Sequence, residues 1–128
     1  MTGEVDPFSL WTYRARTIRV IDGDTVVLEA DVGFGCRYEA TVRAAGIDAP
    51  ELRTASGPAA RDALDVLLSR QFGEDEWPLR VVTRRQADHE ARSFARYVAT
   101  IWVSGPDGTW RDVAEAMVEQ GHARRVSS

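Results

Sequence analysis

The stretch from Thr12 to Ala45, TYRARTIRVIDGDTVVLEADVGFGCRYEATVRAA, decides the fold. Thr12–Val20 alternates loosely and is rich in β-branched residues, which predicts a strand. Asp22-Gly23-Asp24 is a turn signal, because Asp side chains bond their own backbone and Gly relieves steric strain. Thr25–Val32 then reads as a second strand, Gly33-Phe34-Gly35 as the next turn, and Cys36–Ala45 as a third strand. Three strands joined by tight turns form an antiparallel meander.

Working outward, Ser56-Gly57-Pro58 predicts a helix start, with Ser as cap and Pro in the first turn. Ala60, Ala63, Leu64, Leu67 and Leu68 follow on one helical face, and Gly73 stands where that helix should have ended. Pro78–Thr83 predicts a short strand, and Arg92–Val103 a strand or strand pair. Gly105-Pro106-Asp107-Gly108 is a turn. Thr109 is the expected cap of a second helix over Trp110–Gln120, with Val113, Ala114, Met117 and Val118 on one face and Gly121 ending it. Strands that cluster around a helix, rather than alternate with helices, disfavour a doubly wound parallel sheet. They predict an α+β, mainly β, fold: a five-stranded barrel with two packed helices. Residues 1–10 read as a flexible leader and 11–126 as the domain.

At 128 residues, with 44% hydrophobic and 28% charged side chains, the chain suits one globular domain with a real core. The single cysteine, Cys36, makes no internal disulfide and is expected to be a buried or half-buried small side chain. No basic start followed by an apolar stretch precedes Ser9, and no apolar run is long enough to span a bilayer. The expectation is a cytoplasmic protein with no membrane partner. The net charge of −4 argues against coating nucleic acid with a broadly basic surface. It leaves room for a hydrolytic site, where local cations surround one phosphate and a bound metal adds positive charge.

Three segments carry chemistry: Ile21–Thr25 (IDGDT), Val42–Glu51 (VRAAGIDAPE) and Asp88–Arg92 (DHEAR). Asp24 sits at a hairpin mouth. Asp48 and Glu51 occupy the loop after the third strand, where Pro50 stiffens the backbone. Two aspartates, a loop carbonyl and waters satisfy a hard cation such as Ca²⁺. Glu51 is placed to act on a water as general base. Arg43 and Arg92 each offer paired donors to phosphate oxygens, where charge builds during phosphoryl transfer. Taken singly, each segment also has a plain structural meaning: a turn, a loop, a cross-strand pair, an exposed Asp88–Arg92 ion pair. Their order and joint placement at one barrel end carry the signal. Counting from Asp22 excludes an EF-hand, since Val26 and Gly33 fall where ligands belong. His89 and His122 lack partners at zinc spacing and read as surface residues. Neither a phosphate-binding glycine loop nor a serine nucleophile elbow is present.

From about Thr12 to about Val126 the sequence resembles the staphylococcal nuclease (thermonuclease) family. The resemblance rests on IDGDT, on the R-x4-(V/I)-D-(T/A)-P-E segment of Arg43 to Glu51, on the later Arg-bearing strand, and on Glu115–Ala123 as E-x-(L/M)-V-x-x-G-x-A. It implies an OB-type barrel and Ca²⁺-dependent hydrolysis of DNA or RNA, typically to 3′-phosphate ends. By matching position, Asp24 and Asp48 would be metal carboxylates and Ala49 would supply a backbone carbonyl. Glu51 would be the base, and Asp22 would support the metal carboxylates. Arg43 and Arg92 would stabilise the phosphoryl charge, with Arg92 assisting the leaving oxygen. Two departures stand out. Glu90 and Ala91 replace the Tyr and Gly of the family's D-x-Y-G-R, and Glu90 would repel a phosphate. The family's frequent third helix is not expected after Gly121. A nucleic-acid-cleaving monomer is the leading expectation. A non-catalytic barrel binding nucleic acid or protein is the alternative, and a nuclease module within a larger assembly of a mobile element or bacteriophage is a third.

Overall fold

The computed structural model describes residues 11–69, 76–83, 92–93, 96–105 and 107–126. In chain order the elements are β1 (Thr12–Asp22), β2 (Thr25–Gly33), β3 (Cys36–Ala44), β4 (Ile47–Asp48), α1 (Gly57–Ser69), β5 (Leu79–Thr83), β6 (Arg92–Ser93), β7 (Arg96–Ser104), β8 (Trp110–Asp112), α2 (Val113–Glu119) and β9 (Arg124–Arg125). The leader at 1–10, Gly73 and the segment 84–91 with His89 lie outside the described residues.

The meander β1-β2-β3 forms as expected. β1 also pairs antiparallel with β5, and β5 with β7. A parallel pairing of β3 with β7, from Thr41↔Arg96 to Ala44↔Ala99, closes the ring into a five-stranded barrel. Strand alternation sends Val20, Val26, Leu28, Val42, Leu79, Val81 and Ile101 inward. Leu64, Leu67 and Leu68 of α1 and Val113, Ala116 and Met117 of α2 complete the core. The apolar face of α1 is the one its sequence period predicts, with Ala63 half-buried at its border.

The second helix departs from its sequence reading. Trp110–Asp112 is a strand paired with Trp102–Ser104, and the helix begins at Val113. Asp112, not Thr109, is the cap: its Oδ1 accepts the Ala114 N–H at 2.9 Å. Thr109 is held by the preceding turn instead, where its hydroxyl and amide both donate to Asp107 Oδ1. The Arg92–Val103 run resolves into the pair β6 and β7, with Arg92 opposite Tyr97.

Cys36 is exposed, contrary to the expectation of burial. It opens β3 at the β2–β3 hairpin, whose tip projects beyond the barrel, so residues 32–39 are all exposed. Among the described residues no helix is long and apolar enough to cross a membrane.

Candidate active site

The β1–β2 turn builds the first part of the site. The Asp24 N–H donates to Asp22 Oδ1 at 3.1 Å, an Asx-type turn that fixes the loop. The Asp24 carbonyl accepts the Ala44 N–H at 2.8 Å, which ties this turn to the end of β3. Gly23 packs where no side chain fits: a Cβ there would lie 2.8 Å from the Cβ atoms of both Ala49 and Ala60. The turn, the loop after β4 and the first turn of α1 therefore meet at one point.

Asp24 is buried, with 6% of its surface exposed. Its Oδ1 accepts the Thr25 hydroxyl at 2.8 Å and its Oδ2 accepts the Ala49 N–H at 3.0 Å. Burial raises its pKa above the usual carboxylate value and Asp22 adds to the rise, while the bonds from Ala49 and Thr25 act against it.

Arg43 stands opposite Thr25 in the β2–β3 register. Its Nη2 lies 3.2 Å from Asp48 Oδ1, 3.4 Å from the Ile47 carbonyl oxygen and 3.7 Å from Asp24 Oδ2. Asp48 belongs to β4, which pairs with β9, and its Oδ2 accepts from Arg124 Nη2 at 3.2 Å. One carboxylate thus links two guanidiniums. Glu51 follows in the loop, with an exposed carboxylate whose Oε2 accepts from Arg53 Nε at 2.7 Å. Its carbonyl accepts both the amide and the hydroxyl of Thr54, which turns the chain into α1. Gly57 permits that approach, since a Cβ there would lie 2.0 Å from the Glu51 carbonyl oxygen.

A cleft of about 500 Å³ gathers Asp22, Asp24, Arg43, Asp48, Ala49 and Glu51, with Arg53 on its wall. Five of the six residues singled out from the sequence as catalytic or metal-binding line it. For the sixth, Arg92, the backbone alone is described. Its partner Tyr97 pairs in turn with Val42, so Arg92 lies two strand spacings, about 10 Å, from the residue before Arg43. Sequence reading missed Thr25, Arg53 and Arg124. Thr25 had a signal, as the hydroxyl beside Asp24 in IDGDT; Arg124 had none, because only the β4–β9 pairing brings it to the cleft.

The donors around Asp24 and Asp48 are all oxygen, the type a hard divalent cation prefers. Asp24 is a buried carboxylate whose charge is incompletely offset, which a cation would relieve. Among the described residues no three His, Cys, Asp or Glu side chains stand close enough together to hold a metal ion by themselves, so backbone and water would complete any coordination sphere. The residues present therefore fit such an ion in chemical type, and Arg43 forms ion pairs with both aspartates.

The model of the staphylococcal nuclease homologue family matches residues 41–128. Protein ParB of Escherichia coli is 34% identical over 115 residues, covering 86% of this chain and 55% of that protein. Micrococcal nuclease of Shigella flexneri is 30% identical over 111 residues, covering 87% of this chain and 57% of that protein. The chain spans a little over half the length of these curated relatives. With that match over most of the chain, a closed barrel and two packed helices, this protein belongs to the staphylococcal nuclease homologue family.

Proposed function

We propose that this chain hydrolyses phosphodiester bonds in DNA or RNA with the help of a divalent cation, for which Ca²⁺ is the first candidate. The observation that carries the reading is the joining of Asp24 and Asp48 through Arg43 within 3.7 Å, in a cleft that Glu51 also lines. The similarity to a protein named micrococcal nuclease supports the same chemistry.

In this reading Asp24, Asp48 and the Ala49 carbonyl hold the cation, and Asp22 keeps the Asp24 turn in shape. When bound, the cation adds positive charge beside the phosphate oxygens and lowers the barrier to attack. Arg43 turns from the aspartates to the substrate phosphate and donates to its oxygens. Arg92, two strands away on β6, donates to the phosphate and assists the leaving 5′ oxygen. Glu51 keeps Oε2 on Arg53; its Oε1, without a partner among the described residues, takes a proton from the attacking water. A bond forms from the water oxygen to phosphorus, the bond to the 5′ oxygen breaks, that oxygen takes a proton from solvent and departs as a 5′-hydroxyl, and a 3′-phosphate remains.

A plasmid and a single-stranded oligonucleotide incubated with Ca²⁺, then with chelator, provide the test. Cleavage should require the cation and should drop at least about 100-fold in Glu51→Gln and in Arg43→Ala. Full activity in either variant, or cleavage indifferent to the chelator, overturns the assignment. A second reading, a barrel that binds nucleic acid or protein without cutting, draws on the ion pairs of Arg43 with both aspartates. Cation binding with no cleavage of any nucleic acid would favour it.

A further inference from the structure

The two-stranded pairing of β4 with β9 sets a third guanidinium beside the cleft. Ile47 pairs with Arg125 and Asp48 with Arg124, and the Val126 N–H extends the pairing to the Gly46 carbonyl. Successive side chains on a strand face opposite ways. Arg125 is turned toward α2, where both its Nη atoms donate to the two oxygens of Glu115. That bidentate pair anchors β9. Arg124 is turned the other way, onto Asp48 Oδ2 at 3.2 Å, while Arg43 takes Asp48 Oδ1 at the same distance.

The two neighbouring arginines are thus used differently. Arg125 spends both Nη groups on one carboxylate. Arg124 spends only Nη2, and its side chain is 78% exposed. Its other donors have no partner among the described residues. A guanidinium held at one corner and open on its remaining edge is suited to a bidentate bond with a phosphate. Because Asp48 joins Arg124 to Arg43, a phosphate on Arg124 would belong to the same strand as the one on Arg43, a short step along its backbone.

We infer that Arg124 is a phosphate-binding residue of this site, gripping the nucleic-acid backbone next to the phosphodiester held by Arg43. The inference rests on the nuclease reading and adds a contact that this reading does not contain. The contact is to backbone, so it serves every base sequence equally and gives the acidic chain a local electrostatic hold on its substrate.

The test uses the full chain carrying Glu51→Gln, in which cleavage is expected to be slow enough for binding to be read on an oligonucleotide confirmed uncut by gel. Binding of a fluorescent single-stranded oligonucleotide is followed by anisotropy at fixed Ca²⁺ and between 50 and 200 mM monovalent salt, a range over which phosphate contacts lose affinity steeply. Adding Arg124→Ala should weaken binding several-fold for all sequences and reduce the slope of log K against log salt by about 0.7, the value of one phosphate on a single strand. Arg124→Lys keeps the charge and should restore the slope. Arg111→Ala, which removes an arginine paired with Glu119 outside the cleft, should leave the slope unchanged. An unchanged slope in Arg124→Ala overturns the inference even if affinity falls, because Arg124 would then act only by holding Asp48. Absence of any binding by the Glu51→Gln parent overturns the nuclease reading, and the inference with it.

Discussion

The Asp24 carboxylate accepts the backbone N–H of Ala49, 25 residues further along the chain, at 3.0 Å. This bond joins the β1–β2 turn to the loop after β4, and so joins the two acidic motifs. Asp24→Asn keeps an acceptor for that amide and removes a buried charge, so the fold should be retained with a Tm equal to or above that of the parent. Asp24→Ala leaves the amide unsatisfied and should cost on the order of 1–3 kcal/mol. Cleavage should fall at least about 100-fold in both. Thermal unfolding beside an oligonucleotide digest separates the two effects.

Arg43 contacts two aspartates and a carbonyl with one nitrogen. A lysine there keeps the charge and loses the planar fork. Arg43→Lys should therefore recover only a small part of the activity lost in Arg43→Ala, measured as kcat/KM on one oligonucleotide. Equal activity of Arg43→Lys and the parent would show that the paired geometry is unimportant.

An Ala in place of Gly inside a helix usually stabilises it by roughly 1 kcal/mol. At Gly57 the sign should invert. The added Cβ would sit 2.0 Å from the Glu51 carbonyl oxygen, a backbone atom that side-chain rotation cannot clear. Gly57→Ala should cost on the order of 1–3 kcal/mol and should slow cleavage, because the loop carrying Glu51 must move. Calorimetry and initial rates read the two consequences.

Asp112 caps α2 through the Ala114 amide, and burial raises its pKa above 3.8, partly offset by the Ala114 and Glu115 amides. The native state then holds this proton more tightly than the unfolded chain does. Stability from this group falls as pH rises through the window just above 3.8, and the charge remains a cost at neutral pH. Asp112→Asn keeps the cap without the charge, so its Tm at pH 7 should equal or exceed that of the parent, with the difference shrinking toward pH 4. Asp112→Ala should lose about 1 kcal/mol at both pH values.

The barrel was legible because its strands carry local signals: alternation in Thr12–Val20, Asp-Gly-Asp and Gly-Phe-Gly turns, and a leucine face on α1. The cleft was legible because the β2–β3 register sets Thr25, next to Asp24, opposite Arg43, and because Asp48 and Glu51 follow Arg43 closely in the chain. What failed was non-local or finely balanced. The β4–β9 pairing joins two-residue strands that carry no period of their own. The start of α2 was read three residues early, because Thr109 and Asp112 are both good caps and Asp107 had already claimed Thr109. Small size alone predicts burial of Cys36, but the length of the β2–β3 arm decides its exposure.

That arm has a practical consequence. Thr25 and Gly33 bound the nine residues of β2, so the hairpin tip stands on the order of 26 Å from the Asp24 turn at about 3.3 Å per step. The sole sulfhydryl of the chain is there, beside the fully exposed Phe34. A maleimide dye would attach at one known place, remote from the chemistry, and would report tumbling or proximity to a labelled strand without disturbing the groups that grip it.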